Sequence, residues 1–143
     1  MKTILVADDE TSIRILIHTT LENPECRILE AATGAAALSM AGRLHPDLII
    51  LDWMMPGISG LDVLRALRHD PGTAAIPVIM VTAMGQEKHR AEGLALGAQA
   101  YLVKPFSPLE LLQLTQQVLE AAGPEESHDD HAQREQRDIA KTA

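Results

Sequence analysis

A chain of 143 residues with 46% hydrophobic content suits one domain with a real core and excludes wholesale disorder. Its formal net charge of −8 argues against nucleic-acid binding by this segment, which needs a basic face. Aromatics are only 2%, so the core must be aliphatic, and the single Cys26 cannot form an internal disulfide.

No apolar stretch approaches the ~20 residues of a membrane span. Met1-Lys2-Thr3 runs straight into an apolar segment with no signal-type region before it, so a soluble, cytoplasmic protein is expected. The first strand, Thr3 to Ala7, ends in Asp8, Asp9 and Glu10. Thr11 or Ser12 is placed to cap a helix with the apolar face Ile13, Leu16, Ile17 and Leu21, which Asn23-Pro24 ends. Cys26 to Ala31 reads as a second strand, with Cys26 in the core. Thr33 caps a helix from Ala35 to Arg43, and His45-Pro46 closes it, with His45 solvated.

Leu48-Ile49-Ile50-Leu51 runs directly into Asp52, and Pro56-Gly57 then stops the pattern. Such a continuous apolar run reads as a strand buried on both faces, as in parallel sheets. Gly57 to Gly60 reads as a loop before a helix marked by Leu61, Leu64 and Leu67, and Asp70-Pro71-Gly72 closes that helix. Ile76-Pro77 opens a fourth strand in which Val78 to Val81 leads into Thr82. A weaker helix, Gln86 to Leu96, carries Gly93 and has Gly97 at its C′ position. Its low intrinsic helicity suggests an element that can shift.

The fifth strand, Gln99 to Val103, leads into Lys104. Ser107 as N-cap, Pro108 at N1 and Glu110 at N3 make a capping box for the last helix. Leu111, Leu114 and Val118 form its apolar face and Gly123-Pro124 stops it. Five strands alternating with five helices predict an α/β domain over residues 1–122, a parallel sheet covered on both sides. Residues 123–143 read as a polar tail or a truncated linker helix, with Ser127 and Asp130 resembling a capping box and Asp130–Arg134 at i,i+4 spacing. His128 and His131 read as solvated rather than as a metal pair, because no further ligand-type cluster accompanies them.

Open α/β sheets bind ligands at the carboxyl ends of their strands. There this chain gathers an acidic pair, a lone Asp, a hydroxyl and an ammonium. Three carboxylates in one cleft repel, so at least one pKa should rise unless a cation shares the site. Mg²⁺ suits such oxygen ligands, because it needs only one or two protein carboxylates and leaves room for phosphate oxygens. A carboxylate can attack phosphorus to form an acyl phosphate. Lys104 and a bound metal would then supply positive charge, and the Thr82 hydroxyl a hydrogen bond.

Asp8-Asp9, Asp52-x-x-Met55-Pro56-Gly57-x-x-Gly60, Thr82-Ala83 and Tyr101-x-x-Lys104-Pro105-Phe106 occur in this order. Together they resemble the receiver domain of two-component response regulators, of the chemotaxis-regulator type. The resemblance covers about Lys2 to Ala122 and implies a flavodoxin-like, three-layer fold: a five-stranded parallel sheet of order 2-1-3-4-5 with five helices. It implies that Asp52 accepts a phosphoryl group from a sensor histidine kinase or a phosphotransfer histidine. Asp9, Asp52 and the Met54 backbone carbonyl would hold Mg²⁺, with Asp8 assisting through water. Thr82, Ala83 and Lys104 would engage the phosphoryl group, Tyr101 would be a rotameric switch, and the Lys104-Pro105 bond would be cis.

The surface of the fourth helix, fifth strand and fifth helix would then change its affinity for an effector protein, an output domain or a second copy. Met54 and Met84 would flank the phosphoryl group, where neither can orient a hydrolytic water well, so slow autodephosphorylation is expected. The domain is expected to be no enzyme beyond its own aspartyl phosphorylation and its slow reversal. Two alternatives compete. A Mg²⁺-dependent aspartyl phosphatase of the haloacid dehalogenase type would need a second acid where Met54 stands. A pseudo-receiver would be expected to lose the acidic pair or Lys104. A nucleotide-binding module is weaker still, since no Gly-rich loop follows the first strand.

Overall fold

The computed structural model describes residues 1–122. The readings of Gly123-Pro124 as a helix stop, of the tail's capping box and charge pair, and of His128 and His131 lie outside them. The elements alternate without exception: β1 (Lys2–Ala7), α1 (Thr11–Leu21), β2 (Cys26–Ala31), α2 (Gly34–Leu44), β3 (Leu48–Asp52), α3 (Gly60–His69), β4 (Val78–Ala83), α4 (Glu87–Ala95), β5 (Ala100–Lys104) and α5 (Pro108–Ala121). All neighbouring strands are parallel and the order is β2-β1-β3-β4-β5. A helix between every pair of strands returns the chain to the same sheet edge, which is what makes parallel pairing possible. This is the flavodoxin-like fold that the resemblance implied.

The three inner strands are apolar on both faces, and strand alternation divides them between two cores. Ile4, Val6, Leu48, Ile50, Ile79 and Val81 pack with Ile17 and Leu21 of α1 and Leu111 and Val118 of α5. Their neighbours Leu5, Ala7, Ile49, Leu51, Val78 and Met80 pack on the opposite face with Ala37 and Ala41 of α2 and Val63, Leu64 and Leu67 of α3. Cys26 is buried in the first of these cores, and burial pushes its thiol pKa up.

Three helix ends follow the sequence reading. Thr33 accepts from the Ala36 N–H, the Ser107–Glu110 capping box is complete, and Gly97 takes positive φ after α4. There the Gly97 N–H donates to Leu94 O and the Ala98 N–H to Gly93 O, the paired bonds of a Schellman motif.

Two ends differ. Glu10, not Thr11 or Ser12, occupies the N-cap of α1, and its side chain does not cap. Its carboxylate lies 3.2 Å from Lys104 Nζ instead, so a long-range charge wins over the local bond. Ser59, read as loop, caps α3 by accepting from the Asp62 N–H.

α4 is the least anchored helix. Gly93 is its only buried residue, and Gln86 at its N-cap makes no side-chain cap bond. No helix among the described residues is long and apolar enough to cross a membrane.

Candidate functional site

The register brings four strand ends to one edge. Ala7 pairs with Leu51, so Asp8 follows β1 beside Asp52 at the end of β3. Thr82 pairs with Val103, and Ala83 with Lys104, on the far side. One ligand atom from each of Asp8, Asp9 and Asp52 lies within 4.8 Å of the others, with Asp8 and Asp52 buried and Asp9 exposed. Lys104 Nζ is 3.1 Å from Asp8 Oδ2 and 3.5 Å from Asp52 Oδ1. The Lys104–Pro105 bond is cis.

Asp8 Oδ1 accepts the Glu10 N–H, whereas Asp8 Oδ2 is buried and accepts no directed hydrogen bond. The nearby ammonium meets Oδ2 only as a charge. A buried carboxylate oxygen without a donor, beside two further carboxylates, is a donor set suited to a hard divalent cation. Arg14 props the same loop from α1, donating to Asp8 O at 2.6 Å and to Glu30 at 3.1 Å. Glu30 also binds His18 Nδ1 at 2.6 Å, which raises the pKa of His18 and lowers that of Glu30.

Burial pushes the Asp52 carboxyl up to about 6, the charge of Asp8 adding to it and Lys104 opposing. Burial also raises Asp8. Repulsion among carboxylates was the expected cause of such a rise, but desolvation is the larger one. For Lys104 burial pulls the other way, yet the charges of Asp52 and Asp8 and its close contacts with Asp8 and Glu10 hold its pKa above the ordinary value.

Thr82 is buried, and its Oγ1 lies 2.9 Å from Nδ1 of His89 in α4. The His89 ring stacks on Trp53, centroids 4.1 Å apart and planes 9° from parallel. The Tyr101 hydroxyl donates to the His89 backbone carbonyl. Tyr101 lies against α4 where a Cβ on Gly93 would come within 2.3 Å of its hydroxyl, so glycine is what makes this seat. Burial pushes the Tyr101 phenol up to about 12. His89 escaped the sequence reading, since a lone His on a helix without an apolar stripe carries no signal. Ala83 is exposed at the strand end. Met54 and Met84 are 64% and 71% exposed, so both project from the rim instead of packing.

Gly60 makes the other close approach. A Cβ there would lie 2.1 Å from Asp52 O, while the Gly60 N–H donates to Trp53 O at 2.8 Å. The start of α3 is thereby held directly against the strand end that carries Asp52.

The sequence matches the family model of the response regulator receiver domain over residues 4–116. The phosphate regulon transcriptional regulatory protein PhoB of Pseudomonas aeruginosa is 45% identical over 126 residues, covering 88% of this chain and 55% of that protein. PhoB of Escherichia coli K12 is 40% identical over 121 residues, covering 85% of this chain and 53% of that protein. The chain thus spans about half the length of these curated relatives. Among solved structures, the chemotaxis response regulator CheY4 of Vibrio cholerae superposes with a TM-score of 0.77 at 36% identity, covering 82% of this chain and 98% of that one. Fold, strand-end chemistry and sequence agree: the chain belongs to the receiver domains of two-component response regulators.

Proposed function

We propose that Asp52 accepts a phosphoryl group from a histidine kinase or a phosphotransfer histidine, in a site completed by Mg²⁺. The observation that carries this is the cluster itself, with Lys104 Nζ 3.5 Å from Asp52 Oδ1 and the acidic pair alongside. Asp9, Asp52 and the Met54 carbonyl would hold the metal, with Asp8 reaching it through water. When bound, Mg²⁺ neutralises the carboxylates and the phosphoryl oxygens.

The chain's own groups do the rest. Asp52 supplies the nucleophilic oxygen. Lys104 meets the charge that builds on the transferring group, and the Thr82 hydroxyl donates to one of its oxygens, with the Ala83 backbone beside it. Tyr101, packed on α4, couples the site to the α4-β5-α5 surface. That surface exposes Leu94, Val103, Leu109 and Leu112, a face suited to an effector protein, an output domain or a second copy.

Residues 1–122 would be the receiver and 123–143 a tail or linker. The greater length of the relatives supports an output domain, and a net charge of −8 disfavours direct nucleic-acid contact by this segment. The domain would work in the cytoplasm and turn over no substrate besides its own acyl phosphate. Buried Asp8 and paired Lys104 weigh against a partner-binding pseudo-receiver. Exposed Met54 weighs against the aspartyl phosphatase, which needs an acid there.

Acetyl phosphate with Mg²⁺ adds the mass of one phosphoryl group to the intact protein, and chelation with EDTA prevents it. Uptake that ignores Mg²⁺ would reject the metal's part. Because Met54 and Met84 offer no good hydrogen bond to an attacking water, the acyl phosphate should be long-lived. Met54→Asn shortens its half-life by up to about tenfold, the effect of one hydrogen bond on a barrier. Following the decay by mass spectrometry checks this, and an unchanged half-life removes Met54 from the water's path.

A further inference from the structure

We propose that His89 sets how readily Thr82 is released to a bound phosphoryl group, so that phosphoryl uptake and the seating of α4 form one equilibrium. The inference rests on the reading of Asp52 as phosphoacceptor and adds a positioning residue to it.

Three contacts, from β4, β5 and the turn after β3, converge on this one residue. Thr82 at the end of β4 meets Nδ1 at 2.9 Å, Trp53 after β3 stacks on the ring at 4.1 Å, and Tyr101 of β5 donates to the carbonyl. Elsewhere α4 has little to hold it, with Gly93 its only buried residue and no side-chain cap at its start. The helix is therefore seated near its N-terminus chiefly through His89.

The chemistry of the Thr82 contact makes it competitive. A threonine hydroxyl has a single hydrogen to donate. We assign that hydrogen to His89 Nδ1, with the ring proton on Nε2, so the hydroxyl is engaged before any phosphoryl group arrives. A phosphoryl oxygen must then win the hydrogen from the imidazole. When it does, one of the three ties on α4 is cut, and the Tyr101 tie to the same residue's carbonyl feels the displacement. Charge at Asp52 is thereby converted into a looser α4 by a hydrogen-bond exchange at one atom.

His89→Phe keeps a ring for Trp53 and removes the acceptor. Its affinity for beryllofluoride in the presence of Mg²⁺, read from Trp53 emission and confirmed by calorimetry, should be about three- to tenfold tighter than wild type, the range of one net hydrogen bond. His89→Asn, which restores a polar partner for Thr82, should return towards the wild-type affinity. In a Thr82→Ala background, His89→Phe should change nothing, because the exchange has lost its donor. Thermal melts of each variant establish that it is folded.

Affinity in His89→Phe that is equal or weaker, or a gain that persists without Thr82, overturns the inference. Should wild-type protein itself fail to bind beryllofluoride, the phosphoacceptor reading falls and this inference falls with it. Wild-type binding with an indifferent His89→Phe overturns the inference alone.

Discussion

In Asp52→Asn, incubation with acetyl phosphate and Mg²⁺ adds no phosphoryl mass, while the wild-type protein gains one group. The amide has no anionic oxygen to attack phosphorus. The same substitution is expected to stabilise the fold when no divalent cation is present.

The folded protein holds the Asp52 proton to about pH 6, against 3.8 for an unperturbed Asp, because burial penalises the charged form. Between these values the folded state binds more protons than the unfolded one, so stability falls as pH rises through the window and stays lower above it. At roughly 1.4 kcal/mol per pKa unit the loss is at most ~3 kcal/mol. Removing the charge also strips Lys104 of a partner, so a net gain of ~1–2 kcal/mol is expected for Asp52→Asn at neutral pH. Denaturant melts in EDTA between pH 4 and pH 7 would check this. A variant as pH-sensitive as wild type, or less stable at neutral pH, would contradict the buried charge.

Gly60→Ala should unfold the site from the other side. The added Cβ would lie 2.1 Å from Asp52 O and 2.8 Å from the Trp53 Cα, and both obstacles are backbone atoms that no rotamer change can clear. The start of α3 must then part from β3, straining the Gly60–Trp53 hydrogen bond and shifting the Asp52 carboxylate. A cost of about 3 kcal/mol is expected, the upper range for overpacking a tight interior contact. Gly42→Ala is the matched control. It lies exposed within α2 with nothing within 4 Å of its Cβ position, so it should stabilise by up to ~1 kcal/mol. Urea midpoints separate the two, and beryllofluoride affinity should weaken only in Gly60→Ala. Equal tolerance of both substitutions would mean that α3 does not brace Asp52.

The sequence carried the sheet plainly, because strands buried on both faces must be apolar throughout and the first polar residue marks their end. Asp52 after Leu48–Leu51, Thr82 after Val78–Val81 and Lys104 after Tyr101–Val103 were legible for that reason, as was the Ser107-Pro108-Glu110 start of α5. Local rules failed where a distant partner outbid a local one. Glu10 spends its carboxylate on Lys104 and leaves the start of α1 uncapped by a side chain. Ser59 is a different case: it caps α3 by an ordinary local bond to the Asp62 N–H, which the loop reading of Gly57 to Gly60 passed over.

By itself, then, the sequence determined which residues end each strand, and hence which chemical groups meet at the edge. Periodicity and apolar runs are properties of contiguous chain, and they survive without any knowledge of neighbours. Only the tertiary structure decided how those groups are held. The rise in Asp52 comes from burial that no spacing encodes, and His89 joins Thr82 of β4, Tyr101 of β5 and Trp53 in the turn after β3. Desolvation and cross-strand contacts depend on what folding brings together, and that is a matter of packing rather than order along the chain.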